Sequence, residues 1–312
     1  MPLDPQIKPI IDQAASAGAP PLSSLSPHHA RAAFRTMFEA FGGRPAPVAK
    51  SEDRTIPGPA GEIGLRIYTP EGKGPFHALM FFHGGGWVVG DLDTHDPLCR
   101  ALTNAAHCIT VAVDYRLAPE HKFPAAVEDC YAASQWVVHN AASIGANPAR
   151  LAVGGDSAGG NLSAAVSLMA RDRGDLQVGY QLLMYPALDA SLQTKSMTEF
   201  ADGYLLTRAD MVWFWGHYLK GEADRSNPYA CPSQAKDLNG LPPAMIITAQ
   251  FDPLRDEGEA YAKRLEEAYV PLTLKRYEGV THGFLSMASI VDKGRKAIED
   301  AASHLRASFR SL

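Results

Sequence analysis

The sequence predicts an α/β fold class: a mostly parallel central sheet with helices on both faces and a helical cap. Three observations carry this expectation. From His77 onward, short apolar runs of strand length alternate with longer runs of helical period. One such run, Leu151-Ala152-Val153, breaks into small residues around a single serine, Gly154-Gly155-Asp156-Ser157-Ala158-Gly159-Gly160, before a helical run resumes. After Pro186, nearly sixty residues interrupt the alternation, too many for a plain connection in such a sheet.

Taken in order, residues 1 to about 45 read as helical and set apart from the rest of the chain. Pro5 to Ala15 carries Ile7, Ile10 and Ile11. Beyond Pro20-Pro21, Ser26-Pro27 opens a second helix whose apolar stripe is Ala30, Phe34, Met37, Phe38 and Phe41. That stripe fits packing against the main domain first, with part of a lid over a pocket as the functional alternative. Arg54 to Pro70 alternates and turns, a hairpin with Pro59-Ala60-Gly61 at its bend.

Strands then alternate with helices. His77 to Phe82 is a buried strand, followed by a Gly-rich loop and a helix near Pro97 to Ala106. Cys108 to Tyr115 is the next strand, a helix runs from about Ala125 to Ala142, and Arg150 to Val153 leads into the serine turn. The helix after that turn, Leu162 to Asp172, presents Leu162, Val166 and Met169 on one face. Gln181 to Tyr185, Ala244 to Ala249 and Thr273 to Tyr277 are further strands. A long helix closes the chain with Ile298, Ala301, Leu305 and Phe309 inward. Within the interruption lies Met211-Val212-Trp213-Phe214-Trp215-Gly216-His217-Tyr218-Leu219. Its three adjacent aromatic residues cannot all face one core, so a packing helix and a pocket lid both remain open.

The chemistry gathers at strand ends. Gly155-Asp156-Ser157-Ala158-Gly159 fits the G-x-S-x-G nucleophile elbow, in which a strained turn lifts the serine hydroxyl clear of the sheet. A neutral serine needs a base, and the base needs an orienting acid, in the chain order serine, acid, histidine. Asp252 comes directly after the Ala244–Ala249 strand; Asp256, four residues on, falls into a helix and reads as a cap or ion-pair partner. His282 lies in a Gly-flanked loop after Thr273–Tyr277. His28-His29 reads as solvated. His83-Gly84-Gly85-Gly86-Trp87 comes after a strand, and its glycines let backbone N–H groups turn toward a developing oxyanion, supplemented by the N–H of Ala158. No Gly-Lys-Ser/Thr succeeds that run, so a phosphate cradle is disfavoured.

Composition narrows the class further. Hydrophobic residues make up 46% and charged residues 20% of 312, and the formal net charge is −5 with no basic run, which argues against nucleic acid as a partner. The four cysteines are scattered without a C-x-x-C pair, so reduced core cysteines are expected, with neither a zinc site nor a disulfide framework. No apolar run reaches the length of a membrane span, and no basic-then-apolar leader opens the chain. A cytoplasmic protein is the expectation.

These motifs resemble the hormone-sensitive-lipase-like branch of the α/β-hydrolases, the bacterial family IV carboxylesterases. The resemblance rests on His83 to Trp87, Asp114-Tyr115-Arg116-Leu117-Ala118-Pro119-Glu120, Phe123-Pro124-Ala125-Ala126, Gly155 to Asn161, Asp252 to Asp256 and His282-Gly283-Phe284. It implies Ser157, Asp252 and His282 as a triad, and an oxyanion hole at Gly84, Gly85, Gly86 and Ala158, with Gly84 shaping the loop. His83 and Tyr115 to Glu120 would then be scaffold. It also implies a cap from residues 1–50 and 187–240 over a catalytic core of 51–186 and 241–312, and a possible homodimer. Candidate pocket residues are Phe34, Phe38, Leu205, Trp213 and Phe214 from the cap, and Trp87, Asp156 and Phe284 from the core. The implied reaction is hydrolysis of short- to medium-chain esters, without cofactor or metal. The same triad chemistry would also cleave amides. A binding-only protein on a retired hydrolase fold is disfavoured, because serine, aspartate and histidine are all retained.

Overall fold

Apolar side chains alternate along each strand and so feed two separate core layers. In the computed structural model, which describes residues 2–18 and 20–310, eight strands form one sheet in the order β1-β2-β4-β3-β5-β6-β7-β8. They are β1 (Lys50–Gly58), β2 (Gly61–Thr69), β3 (Phe76–Phe82), β4 (Ile109–Asp114), β5 (Ala146–Asp156), β6 (Tyr180–Met184), β7 (Ala244–Phe251) and β8 (Leu272–Thr281). The β1–β2 hairpin and the β2–β4 pair are antiparallel, and the rest of the sheet is parallel. On β3, Ala78, Met80 and Phe82 enter one layer and Leu79 and Phe81 the other.

The first layer is covered by α4 (Ala125–His139), α5 (Ala158–Arg173) and α8 (Arg255–Glu267). The second lies under α3 (Asp96–Ala106) and α9 (Asp292–Arg310), whose Ile298, Ala301, Leu305 and Phe309 are buried. Each such fully buried aliphatic or aromatic side chain contributes about 1.5–3 kcal/mol. All four cysteines are buried and unpaired. No helix among the described residues is long and apolar enough to cross a membrane.

Several elements differ in length from the sequence expectation: β5 starts earlier, at Ala146, and α5 begins directly after Ser157, at Ala158. α4 stops at His139, and a 3-10 turn over Ala141–Ile144 ends at Gly145 in the left-handed region. β8 runs on to Thr281, because a register shift between Ala249 and Phe251 lets its pairing with β7 continue. That extension delivers His282 to the same edge as Asp252.

The N-terminal segment divides. α1 (Lys8–Ser16) sends Ile7 and Ile10 into the second layer, and the Asp4 N–H donates to the Gly279 carbonyl at 2.8 Å. α2 (Pro27–Gly42) starts at Ser26, whose hydroxyl accepts from the His29 N–H. The long insertion contributes α6 (Lys195–Glu199) and α7 (Arg208–Tyr218), the latter opened by a capping box of Thr207 and Asp210. Asp210 also accepts from the Ser23 N–H at 3.0 Å, tying the insertion to the N-terminal segment.

Candidate active site

Ser157 sits between β5 and α5 with φ 57° and ψ −117°, a region that costs a non-glycine residue about 1–3 kcal/mol. The fold over-determines this turn. A Cβ at Gly155 would lie 2.2 Å from the Phe82 carbonyl oxygen, one at Gly159 only 1.8 Å from the same atom, and one at Gly160 2.8 Å from Pro186. Small residues therefore let β3, the turn and α5 pass at van der Waals distance. The Ser157 N–H donates to the Met184 carbonyl at 2.8 Å, and the Ser157 carbonyl accepts from the Asn161 and Ala187 N–H groups. The Asn161 side chain in turn donates to the carbonyls of Ala187 and Ala230, each at 2.8 Å, closing the start of the insertion over the helix.

Asp252 is fully buried after β7, and its two carboxylate oxygens have separate partners. Oδ1 accepts from the Leu254 N–H at 2.8 Å, which fixes the rotamer, and Oδ2 lies 2.8 Å from His282 Nδ1. A carboxylate only accepts, so Nδ1 carries the hydrogen and the lone pair of a neutral ring is left on Nε2. Asp256 faces elsewhere: it accepts from the Ser196 N–H at 2.8 Å and from Arg255 Nε at 2.8 Å, and so belongs to the packing of α6 on α8. The Tyr185 ring, held at φ 36°, packs against the His282 imidazole with centroids 4.7 Å apart.

The glycine loop after β3 turns through a series of left-handed conformations, at Gly85, Gly86, Trp87 and Gly90. Gly85 has no room for a side chain, since its Cβ would stand 2.2 Å from the Val89 carbonyl oxygen. The Gly84 N–H donates to Asp156 Oδ1 at 2.9 Å, so this amide is turned toward the carboxylate. His95 Nε2 lies 3.3 Å from the same oxygen. Burial pushes the Asp156 carboxyl upward, but His95, the Gly84 N–H and more distantly His282 outweigh it and hold the group below the usual carboxylate range. His83 is buried and braces the loop from behind. Its Nδ1–H donates to the Gly84 carbonyl at 2.7 Å, its ring stacks on Tyr115, and the Tyr115 hydroxyl donates to the His83 carbonyl at 2.7 Å. Burial, and then the neighbouring His95, push its pKa down to about 4, so it stands neutral at pH 7.

Comparison with known proteins places this arrangement. The family model describing the α/β hydrolase fold matches residues 79–286. A carboxylic ester hydrolase of Mycobacterium tuberculosis, LipN, is 47% identical over 283 residues, covering 89% of this chain and 75% of the relative. An arylesterase of Saccharolobus solfataricus is 42% identical over 240 residues, covering 77% and 78%. The structure of a hyperthermophilic esterase from Pyrobaculum calidifontis superposes with a TM-score of 0.94 at 42% identity, covering 98% of this chain and 99% of that one. The chain belongs to the α/β-hydrolase family, in its hormone-sensitive-lipase-like branch of carboxylic ester hydrolases.

The hydrolase distributes the expected pocket residues unevenly. Phe214 lies directly over the glycine loop: a Cβ at Gly86 would meet its ring at 2.1 Å. Trp213 and Leu205 are half-buried, and Phe34 and Phe38 stack at 4.2 Å with Phe38 resting on His95. Three of the expected residues have partners within the fold. Trp87 is fully buried, stacked flat on Tyr218 at 4.2 Å and tilted against Trp215 at 4.3 Å, so it joins the loop to α7. Phe284 is fully buried behind Tyr185 and Tyr277. Asp156 is spent on Gly84 and His95. The open choice for the Met211–Leu219 helix resolves by face: Trp215 and Tyr218 pack as core while Phe214 covers the loop.

Sequence reasoning missed Tyr185, Thr94 and His95. Nothing local marks Tyr185 beyond its place at a strand end before Pro186. Thr94 and His95 sit in an unremarkable polar stretch, and only the fold carries them to Asp156. A cleft of about 710 Å³ between α2 and the loops after β3 and β4 is lined by Arg31, Arg35, Asp91, Glu120 and others, and not by Ser157, Asp252 or His282.

Proposed function

We propose that this hydrolase cleaves short- to medium-chain carboxylic esters through an acyl-enzyme, with Ser157 as nucleophile, His282 as base and Asp252 as its orienting acid. The observation that carries this reading is the buried Asp252 carboxylate 2.8 Å from His282 Nδ1, at the sheet edge where Ser157 is held in its strained turn. Ser157 Oγ attacks the carbonyl carbon as its proton passes to His282 Nε2. Asp252 keeps the ring in the Nδ1–H tautomer and stabilises the imidazolium. The tetrahedral oxyanion is met by N–H groups of Gly85, Gly86 and Ala158. Gly84 shapes the loop, since its own N–H is engaged by Asp156. His282 then protonates the leaving alcohol, and deacylation repeats the sequence with water in place of serine.

Residues 1–50, apart from α1, which packs into the second core layer, and residues 187–240 act in this reading as the cap, with Phe214, Trp213, Leu205 and Phe38 bounding the acyl site. The aromatic walls favour acyl groups of limited length. A homodimer through the outer edge of β8 and α9 belongs to the same proposal, and light scattering of the purified chain tests it.

Initial rates on aryl esters of about two to sixteen acyl carbons, beside Ser157→Ala, test the main reading. The expected result is a peak at short to medium chains and a loss on the order of 10⁴–10⁶ in kcat in the variant. Turnover that survives Ser157→Ala would remove the serine mechanism. A peak at the longest chains would remove the acyl-length reading while leaving the triad in place.

A further inference from the structure

Among the side chains that fasten the cap to the glycine loop is one that no motif marks. From α2, Arg31 Nε donates to the Val88 carbonyl at 2.9 Å, and Nη2 donates to the Ala118 carbonyl at 3.0 Å. These two carbonyls lie on adjoining segments, because the Ala118 N–H donates to the Trp87 carbonyl at 2.8 Å. The Val88 and Val89 N–H groups both return to the Gly85 carbonyl, at 3.1 and 2.9 Å. The far limb of the loop is thus bonded inward to Gly85 through its N–H groups and outward to Arg31 through Val88 O. The outer edge of the guanidinium is filled by Glu120, with Nη1–Oε1 at 2.9 Å and Nη2–Oε2 at 2.6 Å.

One helical turn on, Arg35 pairs with Asp91. The Asp91 Oδ1 accepts from the Asp93 and Thr94 N–H groups at 3.0 and 2.9 Å, and Thr94 precedes the His95 that faces Asp156. Two arginines on one face of α2 therefore grip the loop's exit at Val88 and at Asp91.

We infer that Arg31 is a positioning residue: by clamping Val88 and Ala118 it makes docking of the cap helix α2 set the geometry of the Gly85 and Gly86 amides. The inference rests on the reading of this loop as the oxyanion hole. A planar fork suits the task, because two carbonyls and a carboxylate are met at once in fixed directions, which a single ammonium cannot do. The Glu120 carboxylate is half-exposed, and an ion pair of that kind contributes little by itself. The work falls on the two carbonyl bonds, and a loop displaced by a fraction of an ångström loses transition-state binding without losing substrate binding.

The test is steady-state kinetics on an aryl acetate, whose acyl group is too short to use the cap, for Arg31→Met, Arg31→Lys, Glu120→Gln and Gly86→Ala. Binding of a trifluoromethyl ketone is measured alongside. For Arg31→Met, kcat should fall about 10- to 100-fold with KM within about twofold, and ketone affinity should fall in parallel. Arg31→Lys should lie between that variant and wild type. Glu120→Gln should stay within about twofold, since it leaves the carbonyl bonds in place. A wild-type kcat in Arg31→Met, a change confined to KM, or an equal loss in Glu120→Gln would overturn the inference. If Arg31→Met does not fold, a wild-type kcat in Arg31→Lys would do so. Gly86→Ala separates the two readings: an unchanged kcat there removes the oxyanion loop itself, whereas a large loss there beside an inert Arg31→Met removes only the role of Arg31.

Discussion

Two glycine-rich turns meet at the carboxyl edge of the sheet, and they are held by different forces. The elbow around Ser157 is held by backbone against backbone: Gly155 and Gly159 both press on the Phe82 carbonyl, where no Cβ fits. The loop from His83 to Gly90 is held largely by side chains from elsewhere, with Asp156 on the Gly84 N–H, Tyr115 on the His83 carbonyl, Phe214 over Gly86 and Arg31 on Val88. A steric wall cannot yield, whereas a polar or aromatic fastening can be loosened by degrees. The elbow should therefore fail all at once, and the loop should lose function while the fold survives.

The largest effect tests the elbow. Gly159→Ala places a methyl 1.8 Å from the Phe82 carbonyl oxygen, and nothing flexible stands there to move. The expected outcome is a loss above about 4 kcal/mol or failure to fold, read from soluble yield and chemical denaturation. A Gly159→Ala enzyme of near-native stability would break the comparison on its first side.

Gly86→Ala tests the other side. Its methyl meets the Phe214 ring, a side chain, so kcat should fall about 100-fold while stability falls less. Phe214→Ala in the same molecule should restore part of the rate. The positive φ of 56° at Gly86 leaves a residual cost of about 1–2 kcal/mol. An absence of rescue would mean that backbone, not Phe214, confines the loop.

The brace behind the loop should appear in the pH dependence of stability. Folded His83 takes its proton only near pH 4, pushed down by burial and by His95, whereas the unfolded residue takes it near 6.5. As pH falls through that window the unfolded state binds protons first, so stability declines between about pH 6.5 and 4, by on the order of 2–3 kcal/mol. His83→Asn should flatten this part of the profile, measured as the denaturant midpoint at pH 7 and pH 4.5.

The smallest effect is expected from Asp156→Asn. The amide oxygen still accepts the Gly84 N–H, but the charge facing His95 is gone. A fall in kcat of about tenfold is expected, from a weakened charge-assisted bond, with little change in KM. A tenfold rise in KM instead would return Asp156 to the pocket wall.

Legibility in the sequence obeys the same division. The glycines at 84–86, 155, 159 and 160 are readable because each is required by a close approach or a left-handed φ at its own position. Asp252 and His282 are readable because parallel strands deliver the residues just beyond them to one edge. The packing of Trp87 and Phe284 and the bonds of Asp156 are not readable, since an aromatic or acidic residue beside a motif carries no mark of which way it faces. Tyr185, His95 and Arg31 are not readable as parts of the site at all. Their partners lie on other elements, as with Arg31 and Val88 at 57 residues' separation.

Local pattern alone dictates the α/β class, the order of strands and helices, and the residue types at the serine turn, the glycine loop, the acid and the histidine. It can do so because sheet and helix periodicity, the room available beside a backbone and the placement of strand ends act over a few residues. The assembled fold is needed to choose which oxygen of Asp252 meets His282, to make Asp156 a brace, and to bring α2 to the loop through Arg31. Those outcomes depend on directions and distances between elements far apart in the chain, which no local pattern encodes.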